Sequence, residues 1–179
     1  MSQLEVEKNL FHEKQHRQLC LLHTLNNLFQ RQEYAKEELD RICETFDSSY
    51  WFNSHRSVFG FGNYDVNILL RALETRGLEA TWFDKRLSAK EINHDAVHSY
   101  VFNVPSTSYI PFFRNGRHWF AVKKFGSRFY NLDSKLPEPT QINDFVLFAN
   151  EILSNNNELF LVCEPSNRER LLLTNSPRV

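Results

Sequence analysis

Hydrophobic residues recur every three or four positions in four stretches of the chain. This spacing is typical of helices that bury one face against a core. The stretches are LCLLHTLNNLF at 19–29, KEELDRICETF at 36–46, VNILLRAL at 66–73 and residues 141–153. Gly77 follows the third stretch, as glycine does at many helix C-termini. The first stretch predicts a helix of roughly ten residues with Cys20 in its first turn.

Apolar runs of strand length lie mainly in the second half of the chain. They are LEATWF, SYVFNV, RHWFAVKK, RFYNLD and ELFLVCE, each bounded by polar residues, glycine or proline. Runs of this kind indicate β-strands, and Ser88 with Glu91 fits a capping box for a short helix among them. Because helices dominate the first half and strands the second, the pattern predicts one α+β domain and not a repeating βαβ unit.

The composition and net charge of the chain bear on whether it binds nucleic acid. The 179 residues suit a single domain, and 21 Lys and Arg against 22 Asp and Glu give a net charge of −1. The charges are dispersed along the chain, and a nucleic-acid partner would require a basic stripe. We therefore expect no nucleic-acid partner.

Cellular location is inferred from the N-terminus, the apolar runs and the cysteines. The N-terminus MSQLEVEKNL lacks the apolar run of a secretory signal, and runs such as LFLVC are too short for an integral membrane segment. The three cysteines show no spacing pattern of a disulfide framework. A reducing compartment is expected, namely the cytoplasm with the nucleus as a second location.

A candidate histidine–carboxylate pair comes from the predicted hairpin between RHWFAVKK and RFYNLD. If residues 125 and 126 form a two-residue loop, His118 lies directly opposite Asp133. Opposite residues have Cβ atoms about 5 Å apart, so the carboxylate can reach the imidazole. Such a pair supplies a base and its orienting group to a nucleophile. Taken alone, the hairpin favours the interpretation of His118 and Asp133 as an ordinary cross-strand polar pair without a catalytic role. If the strand register slips by two residues, Asn131 becomes the candidate orienting residue instead of Asp133.

Cys20 is the candidate nucleophile. The backbone N–H groups and the dipole at a helix start favour the thiolate, which is the reactive form of cysteine. A buried, inert thiol is the alternative, because free cysteine is among the most buried residue types. Cys43 lies on the apolar face of a helix and Cys163 ends an apolar strand, so both are interpreted as core thiols.

Two further residues near Cys20 have possible roles. An acyl-transfer site needs N–H donors for a developing oxyanion, and the side chain of Gln15 with the backbone N–H of Cys20 would supply a pair. A solvated loop glutamine is the ordinary alternative. His23 is a second candidate base. Cys20 and His23 also have the spacing of two zinc ligands, but a zinc site needs two further ligands at matching spacing, and Cys43 and Cys163 stand alone. His23 is therefore interpreted as a structural histidine.

The sequence resembles the Josephin family of ubiquitin-specific cysteine proteases, and in particular its short members. The resemblance rests on FHEKQHRQLCLLHTLNNL at 11–28, GNYDVNILLRALETRGLEA at 62–80, RHWFAV at 117–122 and YNLDSKL at 130–136. Each segment alone is weak, but the combination is specific. The resemblance implies a Josephin catalytic domain over residues 8–165, with flexible termini at 1–7 and 166–179.

The resemblance also implies roles and an activity. Cys20 would be the nucleophile, His118 the general base, Asp133 the orienting residue and Gln15 the oxyanion-hole residue. The implied fold is papain-like, with the helix of the nucleophile packed against a twisted, mainly antiparallel sheet. The implied reaction hydrolyses the isopeptide or peptide bond after the C-terminal glycine of ubiquitin through a thioester, without a metal or organic cofactor. Ubiquitin and ubiquitinated proteins are then the partners, and the protein is expected to be monomeric.

The aromatic stretch DSSYWFNSHRSVFGFGNY at 47–64 interrupts the helical pattern and is interpreted as a loop or mobile arm. Josephin proteins place such an arm near the ubiquitin tail. Its candidate tail-binding residues are Tyr50, Trp51, Phe52, Phe59 and Phe61. Packing of these rings onto the core is an equally good explanation.

Two alternative functions stay open at this point. A ubiquitin-binding module with little or no activity would use the same cleft, but it would not need all four candidate catalytic residues. Another papain-like acyl transferase or amidase would keep the catalytic residues and act on a small molecule.

Overall fold

The computed structural model describes residues 9–15, 19–44, 63–106 and 117–173. The helices in these ranges are α1 (Cys20–Phe29), α2 (Lys36–Glu44), α3 (Asn63–Glu74) and α4 (Phe145–Ser154). The strands there are β1 (Glu79–Trp82), β2 (Ser99–Pro105), β3 (Arg117–Phe125), β4 (Arg128–Asn131), β5 (Thr140–Ile142) and β6 (Glu158–Cys163). Short 3-10 helices lie at Ala89–Glu91 and Pro165–Arg170. No helix in the described ranges is long and apolar enough to span a bilayer.

The strands form one open sheet in the order β1-β6-β2-β3-β4-β5, and neighbouring strands are antiparallel. Apolar side chains of α1, α2 and α3 form one buried cluster with Trp119 and Phe160 on one face of the sheet. Residues of α4 pack with Phe102 and Phe120 on the other face. The predicted α+β class is confirmed, with α1 packed against the central strand β3.

The leucine spacing of α1 explains why the helix forms and where it lies. Leu25 and Leu28 are fully buried, while Cys20 at the first position stays partly exposed. The helix ends at Phe29, and the left-handed backbone of Gln30 (φ 59°) caps the last turn. Burial of one apolar face thus fixes the position of the helix start, as the sequence predicted.

The register of the β3–β4 hairpin differs from the prediction. Phe125 pairs with Arg128, so the two-residue loop is Gly126–Ser127 and every cross-strand pair is shifted by two residues. Gly126 has a positive φ of 60°, and a type II′ hairpin turn requires glycine at the first of its two central positions. The predicted pairing of His118 opposite Asp133 is therefore wrong, because β4 ends before Asp133.

The fourth helix also begins later than predicted. The apolar spacing indicated a helix over 141–153, but α4 begins at Phe145 and Ile142 belongs to β5. The carboxylate of Asp144 accepts a hydrogen bond from the backbone N–H of Leu147 at 2.9 Å, which caps the helix there. Ile142 fits the helical spacing of apolar residues and equally well an apolar position in a strand. The hydrophobic pattern alone therefore could not separate the end of β5 from the start of α4.

Residues 165–173 are folded, in contrast to the flexible tail expected after residue 165. Leu171 is buried, and its carbonyl accepts the N–H of Asn93 at 2.9 Å. Leu173 donates its N–H to the carbonyl of Glu91 at 2.8 Å. The pairing of this segment with residues 91–93 is long-range, and local patterning does not reveal it. The domain boundaries 8–165 stay a prediction.

A partly buried lysine connects the C-terminal end of α1 to the sheet. The ammonium of Lys123 donates to the carbonyl of Leu28 at 2.9 Å and contacts Nε2 of His98 at 3.2 Å. Burial lowers the pKa of Lys123 to about 8. Burial, together with the nearby charge of Lys123, lowers the pKa of His98 from its ordinary 6.5 to about 4. His98 is therefore neutral near pH 7, and its Nε2 accepts a hydrogen bond from the ammonium.

This pair predicts a pH-dependent stability. The unfolded chain binds a proton at His98 near pH 6.5 and the folded chain only near pH 4, so stability present above pH 6.5 is lost as the pH falls towards 4. Between pH 7 and 4 the free energy of unfolding should fall by up to about 3 kcal/mol more in the wild type than in His98→Gln, which keeps an acceptor but does not titrate. Urea unfolding at several pH values measures this difference. Parallel curves for the two proteins would contradict the assignment.

Candidate active site

Cys20 is the first residue of α1, so its thiol lies at the positive end of the helix dipole. The first turn of the helix contains no acidic residue that would offset this field. The other two thiols lie in apolar surroundings: Cys43 packs against the core, and Cys163 is fully buried. Burial raises the pKa of the Cys163 thiol, which keeps it protonated and unreactive. None of the three cysteines forms a disulfide.

His118 and Asp133 are in direct contact even though they are not a cross-strand pair. Nε2 of the buried His118 lies 2.7 Å from Oδ1 of Asp133. The same carboxylate oxygen accepts the N–H of Lys135 at 2.9 Å, and the N–H of Asp133 donates to Oδ1 of Asn131 at 3.0 Å. The turn after β4 thus holds the carboxylate through the N–H of Lys135 and the backbone of Asp133 through Asn131. Asn131, the fallback orienting residue, contacts Asp133 and supports it.

Gln15 is held beside the same turn. Its backbone N–H donates to the carbonyl of Ser134 at 2.8 Å, and the hydroxyl of Ser134 donates to Oε1 of Gln15 at 3.4 Å. These contacts orient the side-chain amide of Gln15 with its oxygen towards Ser134. The structure therefore brings Gln15 next to the segment that carries Asp133, which is 118 positions further along the sequence.

His23 has the surroundings of a structural histidine. It is buried, and its Nδ1 lies 3.1 Å from the carboxylate of Glu13. The other oxygen of this carboxylate accepts a hydrogen bond from Nδ2 of Asn26 at 2.6 Å. Within the described ranges, no group of three or more His, Cys, Asp or Glu side chains is arranged to hold a metal ion.

The proposed aromatic arm lies outside the described residues. This applies to all of its candidate residues, which are Tyr50, Trp51, Phe52, Phe59 and Phe61. Their role in binding a ubiquitin tail stays a prediction.

Two residues that connect the site were missed by sequence reasoning. Asn27 is fully buried and Ser134 is almost so, and both contact the segments that carry the candidate catalytic residues. Asn27 did leave a signal in the sequence: an asparagine pair interrupts a helix that is otherwise rich in leucine. Ser134 left none, because a serine after an aspartate is common in turns.

Comparison with known proteins identifies the family. The Josephin family model matches residues 15–163. A Josephin-like protein of Drosophila melanogaster is 41% identical over 178 residues, covering 92% of this chain and 80% of that protein. Josephin-2 of Homo sapiens is 37% identical over 138 residues, covering 75% and 73%, respectively. Ataxin-3 of Homo sapiens is 26% identical over 178 residues, covering 87% of this chain and 45% of ataxin-3. The predicted resemblance is confirmed, and the chain belongs to the Josephin family.

Proposed function

We propose that this chain is a thiol-dependent deubiquitinase that cleaves the bond after the C-terminal glycine of ubiquitin through a thioester on Cys20. The observation that carries the proposal is the 2.7 Å contact between the buried His118 and Asp133. In a Josephin-family chain with a partly exposed cysteine at a helix start, this contact supplies the base and its orienting group. The choice of ubiquitin as substrate rests on the family.

The packing of α1 supports the approach of Cys20 to His118. The C-terminal end of the helix is fixed at Lys123 through Leu28, and the helix packs against β3. Leu21 and Leu22 share a buried cluster with Trp119, the residue next to His118. This packing supports a position of Cys20 near the end of β3 that carries His118, as the proposed reaction requires.

In the proposed reaction each group has a task that agrees with its contacts. Since Nε2 of His118 faces Asp133, Nδ1 is the ring nitrogen left to exchange a proton with the thiol and the leaving group. The Cys20 thiolate attacks the carbonyl carbon of the ubiquitin glycine, and the new C–S bond leaves a negative charge on the carbonyl oxygen. The Gln15 amide and the N–H of Cys20 donate hydrogen bonds to this oxygen.

The remaining steps regenerate the enzyme. Protonated His118 gives its proton to the lysine amine as the C–N bond breaks, and a thioester remains. Neutral His118 then takes a proton from water, whose oxygen attacks the thioester. Collapse of this second intermediate breaks the C–S bond and releases the carboxylic acid of ubiquitin, which loses its proton to solvent. The Cys20 thiolate is returned beside a protonated His118.

Location and assembly belong to the same proposal. The protein would act as a monomer in the cytoplasm and also in the nucleus. These compartments keep thiols such as Cys20 reduced, and they contain ubiquitinated proteins as substrates.

Hydrolysis of ubiquitin carrying a fluorogenic amine on its C-terminal glycine tests the proposed function. Release of the fluorophore at a rate proportional to enzyme concentration is expected. Binding of ubiquitin without release would favour a binding module. Hydrolysis of small acyl amides but not of the ubiquitin amide would favour a different papain-like amidase.

Replacement of Asp133 tests whether turnover depends on the orientation that Asp133 gives to His118 or on the negative charge of its carboxylate. Asp133→Ala should lower kcat by about 10- to 100-fold, because the carboxylate that orients His118 is lost. Asp133→Asn should stay within about fivefold of wild type, because Lys135 N–H holds the side-chain oxygen at Oδ1 in either residue. Steady-state turnover of the ubiquitin amide measures both effects. Equal losses in the two variants would show that charge matters more than orientation.

A further inference from the structure

Asn27 joins three separate parts of the candidate site. It lies on α1, seven positions after Cys20. Its Oδ1 accepts the N–H of Glu13 at 2.6 Å, and its Nδ2 donates to the carbonyl of Glu13 at 3.2 Å. The same Nδ2 donates to the carbonyl of Leu132 at 3.0 Å. One side chain thus holds the backbone two residues before Gln15 and the backbone directly before Asp133 to the helix of Cys20.

Only an amide of this size can make all these contacts. A side-chain amide supplies one acceptor oxygen and two N–H donors in one plane, and Asn27 uses the oxygen and the nitrogen while fully buried. Removal would leave the partly buried N–H and carbonyl of Glu13 and the buried carbonyl of Leu132 with fewer partners, which is costly away from water. An aspartate would keep the acceptor but would turn a carboxylate towards the carbonyls of Glu13 and Leu132.

We propose that Asn27 is a positioning residue of the reaction, because it fixes Gln15 and Asp133 relative to Cys20. The proposal rests on the proposed function. Asn27 touches neither the substrate nor the reacting atoms and acts through Gln15 and Asp133. A small displacement of catalytic groups lowers the rate of the chemical step more than substrate binding. Loss of Asn27 is therefore expected to lower kcat and to leave KM nearly unchanged.

The chain contains a matched control. Asn150 on α4 also uses its amide to join separate parts of the chain: Oδ1 accepts the N–H of Ala89 at 2.8 Å, and Nδ2 donates to the hydroxyl of Ser88 at 3.2 Å. Asn150 belongs to α4, which packs on the face of the sheet opposite to α1. Its partners Ser88 and Ala89 have no proposed role in the reaction. Asn150→Ala should lower stability without changing kcat.

The test combines turnover of the ubiquitin amide with urea unfolding, at a temperature where every variant is folded. Asn27→Ala is expected to lower kcat at least about tenfold with KM within about twofold, whereas Asn150→Ala keeps both within about twofold. In a chain that already carries Gln15→Ala and Asp133→Ala, adding Asn27→Ala should lower the residual rate less than about threefold. Effects that act through the same groups are not additive.

The proposal has clear contrary outcomes. If Asn27→Ala lowers kcat as much in the Gln15→Ala and Asp133→Ala background as it does in the wild type, the proposal is overturned. A loss of kcat in Asn150→Ala as large as that in Asn27→Ala would also overturn it. Asn27→Ser serves as a milder variant if Asn27→Ala does not fold. If neither variant folds at 10 °C, Asn27 is required for folding and the positioning role is overturned. The proposed function fails separately, if the wild type itself does not hydrolyse the ubiquitin amide.

Discussion

Replacing Cys20 with alanine is expected to reduce turnover of the ubiquitin amide by at least about 10³-fold, because no thioester can form. The fold should survive this change. Cys20 is a partly exposed first residue of α1, and alanine has the highest helix propensity. Turnover and the thermal midpoint are measured together, and the midpoint should shift by less than about 4 °C.

The other cysteines provide the control for this prediction. Cys43→Ala should keep its turnover within about twofold, because Cys43 packs against the core on α2. Residual turnover above one-tenth of the wild-type rate in Cys20→Ala would exclude Cys20 as the nucleophile. A large loss in Cys43→Ala with an unchanged thermal midpoint would point to Cys43 instead.

His118→Ala should lower kcat by about 10²- to 10⁴-fold, the usual cost of removing a general acid–base. His118 lies on strand β3, and its Nε2 contacts Asp133 at 2.7 Å, so the alanine variant loses both the imidazole and its oriented contact. The loss should be largest in kcat, because proton transfer belongs to the chemical steps. Steady-state kinetics with the ubiquitin amide separate kcat from KM.

His23 is the natural comparison, since it is a second buried histidine beside a carboxylate. His23→Gln keeps a polar side chain next to Glu13 and should retain most of its turnover, with a loss of stability of about 1 kcal/mol. If His118→Ala has nearly normal turnover and His23→Gln is inactive, His23 is the base and the assignment of His118 is wrong.

The sequence predicted the candidate site better than it predicted the hairpin that carries it. The leucine spacing of α1 determines both the helix and the position of Cys20, because burial of that face is a local property of the sequence. The hairpin register depended on which residue occupies the first loop position, and Gly126 takes that place. A shift by two residues preserves the alternation of strand faces, so the expected contact of His118 with Asp133 arose despite the wrong register.

Other features of the fold depend on contacts between distant parts of the chain. Asn27 and Leu132 are 105 positions apart, and their hydrogen bond exists only because α1 lies next to the end of β4. The pairing of Ile92 with Leu172 is likewise long-range, and it orders a segment with weak local patterning. Periodicity describes one element at a time and carries no information on such pairs.

The most direct test of the central claim uses ubiquitin with a thiol-reactive electrophile at its C-terminus. Each protein is incubated with this reagent, and mass spectrometry locates the adduct. A single adduct at Cys20 is expected in the wild type and in Cys43→Ala, and no adduct is expected in Cys20→Ala. Binding of ubiquitin without an adduct in the wild type, or an adduct at Cys43 or Cys163, would contradict the account.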